Sequence, residues 1–295
     1  MQATAQEEFE IHRTMLVGLA YRMCGVLADA QDIVQETNIK WCSADRSGIR
    51  NPRGWLVTVC SRLAMDVMKS ARVRREKYVG VWLPEPFLDL HEYSPDAQAE
   101  IDDSVSMGLM VAMERLTPSE RATFLLHDVF NYSFGEIACI IGKPEATCRK
   151  SASRARRALR INRPRFNTSP DLHRQLLEAF FEAVHDGDLE NLKALLADSV
   201  ELHADGGGRV ETAPAVLGGR EVVSGFLLKI WRANVPSRAS IIIENRWFNG
   251  QPGVLIYQNN QLAVALCLSV TRNTIDQIFA LRNPQKLTVF MSNRE

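Results

Sequence analysis

The apolar residues change period part-way along the chain, and this change constrains the fold more than any other feature. From Phe9 to Leu159 they recur at three- and four-residue intervals; from Val200 to Leu281 they lie in short runs separated by turn dipeptides. The first spacing is that of amphipathic helices and the second that of strands. At 295 residues the chain is also about twice the usual single-domain size. A multi-domain protein is expected, with two all-α domains followed by an α+β domain.

In the first part, Leu16, Leu19, Ala20 and Met23 share a helical face, as do Ile33, Val34, Thr37 and Trp41, and then Trp55, Leu56, Val59, Leu63 and Val67. Asp29 is expected to cap the second of these helices, and Asn51 with Pro52 to open the third. Residues 78–97 hold three prolines and no period, so they read as an aromatic-rich linker. A further helical set places Ile101, Val105, Leu109 and Met113 on one stripe. Two capping boxes follow, Thr117 with Glu120 and Ser133 with Glu136. The helix opened by the second box stops at Gly142, and a basic helix then runs over about 145–160. Beyond it, helices over 171–185 and 189–196 lead into strands over 200–204, 239–248, 253–257, 262–270 and 274–281, interrupted by a helix near 220–233. Asp205, Gly206, Gly207 and Gly208, then Asn249 and Gly250, and Arg272 and Asn273 carry turn chemistry. The expected domains are 9–77, a linker over 78–100, then 101–165 and 171–295.

Composition narrows the function classes. With 46% apolar and 24% charged residues the chain is neither disordered nor collagen-like. No apolar run reaches the roughly eighteen residues of a membrane span, and the first residues are acidic, so a cytosolic protein without membrane contact is expected. Six scattered cysteines without a C-x-x-C pair argue for buried reduced thiols, with no metal and no cofactor. Net charge is zero, yet it is unevenly spread. Residues 69–77 carry five basic side chains against Glu76, and residues 145–166 carry eight against Glu145, whereas everything after Phe166 has 12 basic and 14 acidic residues. Polyanion contact at two places is implied, with a different role for the C-terminal part.

The helix ending at Gly142 and the basic helix after it have the dimensions of a helix-turn-helix. Cys148, Ala152, Ala155 and Leu159 repeat at helical spacing and face inward, which leaves Arg149, Lys150, Ser153, Arg154, Arg156 and Arg157 outside to reach phosphates and base edges. With these residues in view, "DAQDIVQET" (29–37), "NPRGWLVTVCSRLAMD" (51–66), "ERLTPSERATFLLHDVF" (114–130) and "ATCRKSASRARRALR" (146–160) resemble the second and fourth regions of extracytoplasmic-function RNA polymerase sigma factors. "WLPEP" (82–86), "DGGG" (205–208), "NGQP" (249–252) and "NPQKL" (283–287) resemble the SigJ-like class, in which a SnoaL-like α+β cone follows the fourth region.

The resemblance implies a transcription initiation factor, not an enzyme, whose partners are core RNA polymerase and promoter DNA. Asp29, Asp32, Gln35 and Glu36 match the motif that docks on the polymerase. Arg50, Asn51, Arg53, Arg62, Lys69, Arg72, Arg74 and Arg75 surround the helix that holds the melted strand of the minus-ten element, with segment 43–50 supplying a pocket for a flipped base. Thr147, Arg149, Lys150, Ser153, Arg154 and Arg157 match the reader of the double-stranded minus-thirty-five element. The chain departs from the pattern at Gln31, at Asn38 and at Pro144, which occupies the cap slot of the recognition helix; there Glu145 compensates through the helix dipole.

Related cones include cyclases and isomerases that use an Asp or His as acid or base. Strand alternation puts Glu201, His203 and Asp205 on one face, with Leu202 and Ala204 on the other. If the first face looks into the cone, His203 and Asp205 are catalytic candidates; the preferred reading makes Asp205 the start of a glycine turn and leaves His203 exposed. Three functions stay open here: an initiation factor with a fused regulatory domain, which is favoured, an enzyme tethered to a DNA-binding module, and a sensor whose cone holds an unidentified small ligand. The tether over 162–170 is some nine residues, so contacts of the cone operate at about millimolar local concentration. The apolar linker Trp82, Leu83, Pro84, Glu85 and Pro86 is therefore expected to meet Asp205, Gly206, Gly207 and Gly208, and Asn249, Gly250, Gln251 and Pro252, through backbone donors of those turns.

Overall fold

The computed structural model describes residues 4–87, 106–159, 169–234 and 241–290. They divide into two compact units, one formed by residues up to Glu76 together with 109–159, the other by 77–87, 106–108 and everything described from 169 onward.

The helical unit comprises α1 (Ala5–Cys24), α2 (Leu27–Ser43), α3 (Pro52–Arg75), α4 (Met107–Met113), α5 (Pro118–Phe124), which passes into a π-helical turn (Leu125–Val129), α6 (Phe134–Ile141) and α7 (Glu145–Ala158). The starts follow side-chain chemistry. Asn51 accepts from the Gly54 amide at the head of α3, and both expected capping boxes form at Thr117 and Ser133. Asp29 is not the cap of α2, because that helix begins two residues earlier, behind Val26; the acid sits in the first turn, where it complements the dipole. The α3 stripe is also rotated from the expected one. Leu56, Val57, Cys60, Ala64 and Met68 are buried while Trp55, Val59, Leu63 and Val67 are only partly covered, since α3 packs against α1, α2, α5 and α6. Ile101 and Val105 lie outside the described residues, and in α4 Met110 and Met113 are buried while Leu109 is partly covered.

The second unit contains α8 (Pro170–Asp186), α9 (Leu189–Leu195), β1 (Leu196–Asp205), β2 (Leu217–Gly218), α10 (Arg220–Asn234), β3 (Ile241–Phe248), β4 (Gln251–Gln258), β5 (Gln261–Thr271), β6 (Thr274–Leu281) and the short α11 (Pro284–Leu287). Its sheet has the order β2-β1-β6-β5-β4-β3, antiparallel except where β1 runs parallel to β6. Asn249-Gly250 and Arg272-Asn273 turn the hairpins with positive φ at both residues, and Asn259-Asn260 turns the third. Leu177, Phe180 and Val184 of α8 and Val223 of α10 pack with Leu202, Val254, Leu266 and Ile278 on one face of the sheet, forming an α+β cone. Four of the six cysteines are buried, and burial pushes the Cys24 thiol up to about 12; Cys42 and Cys139 are exposed.

Candidate functional site

In α2, Ile33, Val34, Thr37 and Trp41 are buried, which leaves Asp32, Gln35 and Glu36 exposed as one acidic face, with Asp29 at its margin. Glu36 pairs with Lys40 at 3.1 Å, a surface contact that leaves the carboxylate open to a partner. Gln31 is exposed, and Asn38 finds acceptance inside the unit: its amide donates to Gln6 of α1 at 3.3 Å.

The cations of α3 do not form one free face. Arg50, Arg53, Lys69 and Arg72 are exposed, Lys69 and Arg72 beside Asp66 and Glu76; the side chain of Arg74 lies outside the described part of the structure. Arg62 donates through Nε to the Ile140 carbonyl at 2.8 Å and through Nη2 to that of Cys139 at 2.9 Å. These carbonyls end α6 and lack intrahelical donors, so a guanidinium satisfies them and meets the negative helix end. Arg75 is ion-paired with Glu114 and donates to the Cys24 carbonyl at 2.6 Å; burial, opposed by Glu114, pulls its pKa down. Glu114 also holds Arg121, whose side chain is 1% exposed. Arg62 and Arg75, for which the resemblance implied DNA contacts, therefore also join elements of the helical unit. The segment after α2 forms a short 3-10 turn, Arg46–Gly48, capped by the Asp45 side chain.

In α7, Cys148, Ser151, Ala152 and Ala155 are buried while Thr147, Arg149, Lys150, Ser153, Arg154 and Arg157 are all exposed. Leu159 is only partly covered, and Arg156 pairs with Asp128 at 2.7 Å, which takes it from the free cations. Pro144 stands at the N-cap without a side-chain bond, and Glu145 in the first turn pairs with Arg149, whose guanidinium also lies over the Phe134 ring. Arg160, Arg163 and Arg165 fall outside the described residues.

The second unit contains a buried polar cluster centred on Asp205, which is 0% exposed. Its Oδ2 accepts from the Leu83 amide at 2.9 Å and from Lys286 Nζ at 2.7 Å; its Oδ1 accepts from the Tyr78 hydroxyl at 2.6 Å and the Gly207 amide at 3.0 Å. Lys286 also donates to the Leu83 carbonyl and sits 4.3 Å from the Trp82 ring centroid. Asn283 donates to the Tyr78 hydroxyl at 2.8 Å. Leu83, Pro84, Glu85 and Pro86 are buried and Trp82 is half-covered. The glycines have specific reasons: Gly207 has φ +63° and a Cβ there would run into the Asn283 amide, while Gly208 has φ +68° with Val79 at 3.0 Å from any Cβ. At the linker's far end, Phe87 exchanges two bonds with Asn249, its amide reaching Asn249 Oδ1 at 3.0 Å and its carbonyl accepting the Asn249 amide at 2.9 Å. Gln251 and Pro252 sit in the β3–β4 ladder opposite Phe248 and Trp247.

Of the turn residues named from sequence, Asp205 and Asn249 bond the linker, and they use different groups. At Asn249 a backbone donor is used; at Asp205 a carboxylate accepts from the linker instead. Tyr78, Asn283 and Lys286 were not singled out from sequence as members of this contact, although Asn283 and Lys286 lie in the quoted "NPQKL". The catalytic alternative loses its geometry. Leu202 and Ala204 line the cavity of the cone, so His203 and Asp205 point to the opposite face. His203 is not exposed either: it is buried against Phe279 and Glu201, Nε2 3.0 Å from the Glu201 carboxylate.

These features belong together in a transcription initiation factor: residues 9–75 match the family model for Sigma-70 region 2, and residues 106–159 that for Sigma-70, region 4. The chain is 35% identical over 290 residues to the ECF RNA polymerase sigma factor SigJ of Mycobacterium tuberculosis, covering 95% of this chain and 92% of that one. It is also 35% identical over 278 residues to a probable ECF RNA polymerase sigma factor, SigI, of the same organism, covering 94% and 92%. The crystal structure of M. tuberculosis SigJ superposes with a TM-score of 0.77 at 31% identity, covering 95% of this chain and 97% of that one. The chain belongs to the extracytoplasmic-function RNA polymerase sigma factors, a family of initiation factors and not of enzymes. Core RNA polymerase and promoter DNA are the partners that membership brings. No described helix is long and apolar enough to cross a membrane.

Proposed function

We propose that this sigma factor is controlled by its own C-terminal unit through the linker between the two DNA-binding regions. The observation that carries the reading is the Asp205 cluster: a fully buried carboxylate holds the Leu83 backbone and Tyr78, with Lys286 as its counter-ion. A buried ion pair is weak evidence for stability alone. Here it holds the segment that begins two residues after α3 ends, so it limits how far the second region can travel from the fourth. The acidic face of Asp29, Asp32, Gln35 and Glu36 docks on core polymerase. Arg50, Asn51, Arg53, Lys69 and Arg72 serve the minus-ten strand, and Thr147, Arg149, Lys150, Ser153, Arg154 and Arg157 serve the minus-thirty-five duplex. The site of action is the cytoplasm, where polymerase and promoter are found.

The test is transcription in vitro with core polymerase on selected promoter fragments, comparing the full chain with a truncation from Asp171 onward and with Trp82→Ala. The truncation is expected to change promoter affinity or transcript yield severalfold, and Trp82→Ala to reproduce part of the change. A truncated protein that transcribes like the full chain ends this reading.

A further inference from the structure

β3 is the last strand of the sheet, bonded to β4 on one side and to no described strand on the other. An edge of this kind is ordinarily blunted by a lysine, a proline or a bulge. The strand IIIENRWF carries none of these, and its register with β4 runs without interruption from Ile241 to Phe248. Ile242 is 54%, Ile243 41% and Trp247 43% exposed. The direction of the backbone groups follows from the hairpin. The tight turn at Asn249-Gly250 makes Phe248 and Gln251 a bonded pair, and Trp247 then stands opposite Pro252, which has no N–H to give. By alternation, the pairs of Trp247 with Pro252, Asn245 with Val254 and Ile243 with Ile256 are non-hydrogen-bonded ones. The N–H and C=O groups of Ile243, Asn245 and Trp247 therefore point away from β4. Arg246 Nη1 reaches the Asn245 carbonyl at 3.0 Å, which agrees with that direction.

We propose that β3 pairs antiparallel with β3 of a second copy of this chain, about a two-fold axis at Asn245, so that two sheets become one. Outward groups meet only in registers that oppose odd-numbered residues to odd-numbered ones. Centring the axis on Asn245 sets Glu244 opposite the partner's Arg246 and Ile243 opposite the partner's Trp247. Centring it on Glu244 or on Arg246 sets like charges face to face, which is unfavourable, and larger shifts oppose neither charge to its opposite. In the Asn245 register the two asparagines exchange both backbone bonds, as do Ile243 and the partner's Trp247. Glu244 and Arg246, which pair within their own strand, fall at non-hydrogen-bonded positions of the new ladder, where side chains approach most closely. Two carboxylates and two guanidinium groups then alternate across the axis. The isoleucine and tryptophan form an aromatic–β-branched cross-strand pair, made twice by symmetry. The Asn245 carbonyl accepts from a backbone amide in place of Arg246, which turns to the partner's Glu244. This interface lies within the second unit and stands whether or not the linker contact regulates the factor.

Sedimentation equilibrium of the full chain over a concentration series tests it, with a reversible monomer–dimer equilibrium expected. Glu244→Arg and Arg246→Glu are each expected to raise the dimer Kd at least about tenfold, because the symmetry turns two attractive pairs into two repulsive ones. An equimolar mixture of these two variants is expected to recover the dimer. Every charge pair across the axis is then again opposite in sign, while the pair within each strand stays broken, so recovery cannot come from the fold of the separate strands. Asn245→Pro removes an amide that does not serve β4 and is expected to abolish association. A full chain that stays monomeric throughout the series, a dimer that neither charge variant weakens, or a mixture no more associated than its components would each overturn the pairing and leave the linker contact standing.

Discussion

Asp205→Ala separates two accounts of the linker contact, one in which the carboxylate organises it and one in which apolar burial of Leu83 and its neighbours suffices. The substitution strips the acceptor from the Leu83 amide, the Tyr78 hydroxyl and Lys286, and leaves the ammonium with the Leu83 carbonyl and the Trp82 ring. Breaking one side of a buried ion pair costs about 3–5 kcal/mol because a charge is left uncompensated. Lys286→Met also strands a buried charge, the Asp205 carboxylate, but three neutral donors still hold it and the Leu83 amide keeps its acceptor, so its cost falls at the lower end of that range. The double variant removes the orphaned ammonium and is expected to be more stable than Asp205→Ala alone, a coupling of favourable sign between touching residues. Hydrogen exchange by mass spectrometry on a peptide spanning 79–87 reads the contact directly. A loss of about 3–5 kcal/mol accelerates exchange at Leu83 by about a hundred- to a few thousand-fold. If Lys286→Met accelerates exchange more than Asp205→Ala, or the double variant exceeds both, the carboxylate is not the organiser.

Burial, reinforced by the bond to Asp205, holds the Tyr78 hydroxyl well above the ordinary tyrosine range. The folded state therefore keeps this proton where the unfolded chain loses it, so stability is full below about pH 10 and falls as pH rises further; urea midpoints across that window check the sign, and Asp205→Asn should flatten the fall. Reversing Asp32 and Glu36 to Lys is expected to abolish association with core polymerase while the circular dichroism spectrum is unchanged, and intact binding would refute the docking face. Replacing Arg149, Lys150, Arg154 and Arg157 by Ala is expected to flatten the log-log salt dependence of promoter binding by about 0.9 for each phosphate no longer neutralised, and an unchanged slope would show that α7 is not the reader.

Local signals were legible wherever a side chain acts on its own backbone. The capping boxes at Thr117 and Ser133 and the Asn249-Gly250 and Arg272-Asn273 turns follow from residues three or fewer positions apart. The exposed face of α7 was equally legible, because burial of Cys148, Ala152 and Ala155 determines which side chains remain outside. Partners distant in sequence were not. Arg62 reads as one more cation in a basic helix until α6 presents unsatisfied carbonyls 77 and 78 positions away. Lys286 likewise reads as a surface lysine until the linker, 203 positions earlier, covers it.

The same long-range contacts bear on how the factor works. Arg62 commits Nε and one Nη2 hydrogen to the end of α6 and keeps its other donors, whereas Arg75 cannot leave Glu114 without uncovering that carboxylate and the buried Arg121 beside it. In the described arrangement of the helical unit, Arg62 bonds α3 to α6, and Arg75 bonds it to Glu114 and to the end of α1. If Arg75 serves the minus-ten strand as the resemblance implies, the strand has to replace the Glu114 carboxylate as its acceptor. A linker held by Asp205 at its first half then matters for a simple mechanical reason. On the regulatory reading proposed above, residues 78–87 are held by the Asp205 carboxylate, and that hold shortens the chain free to connect α3 with α4.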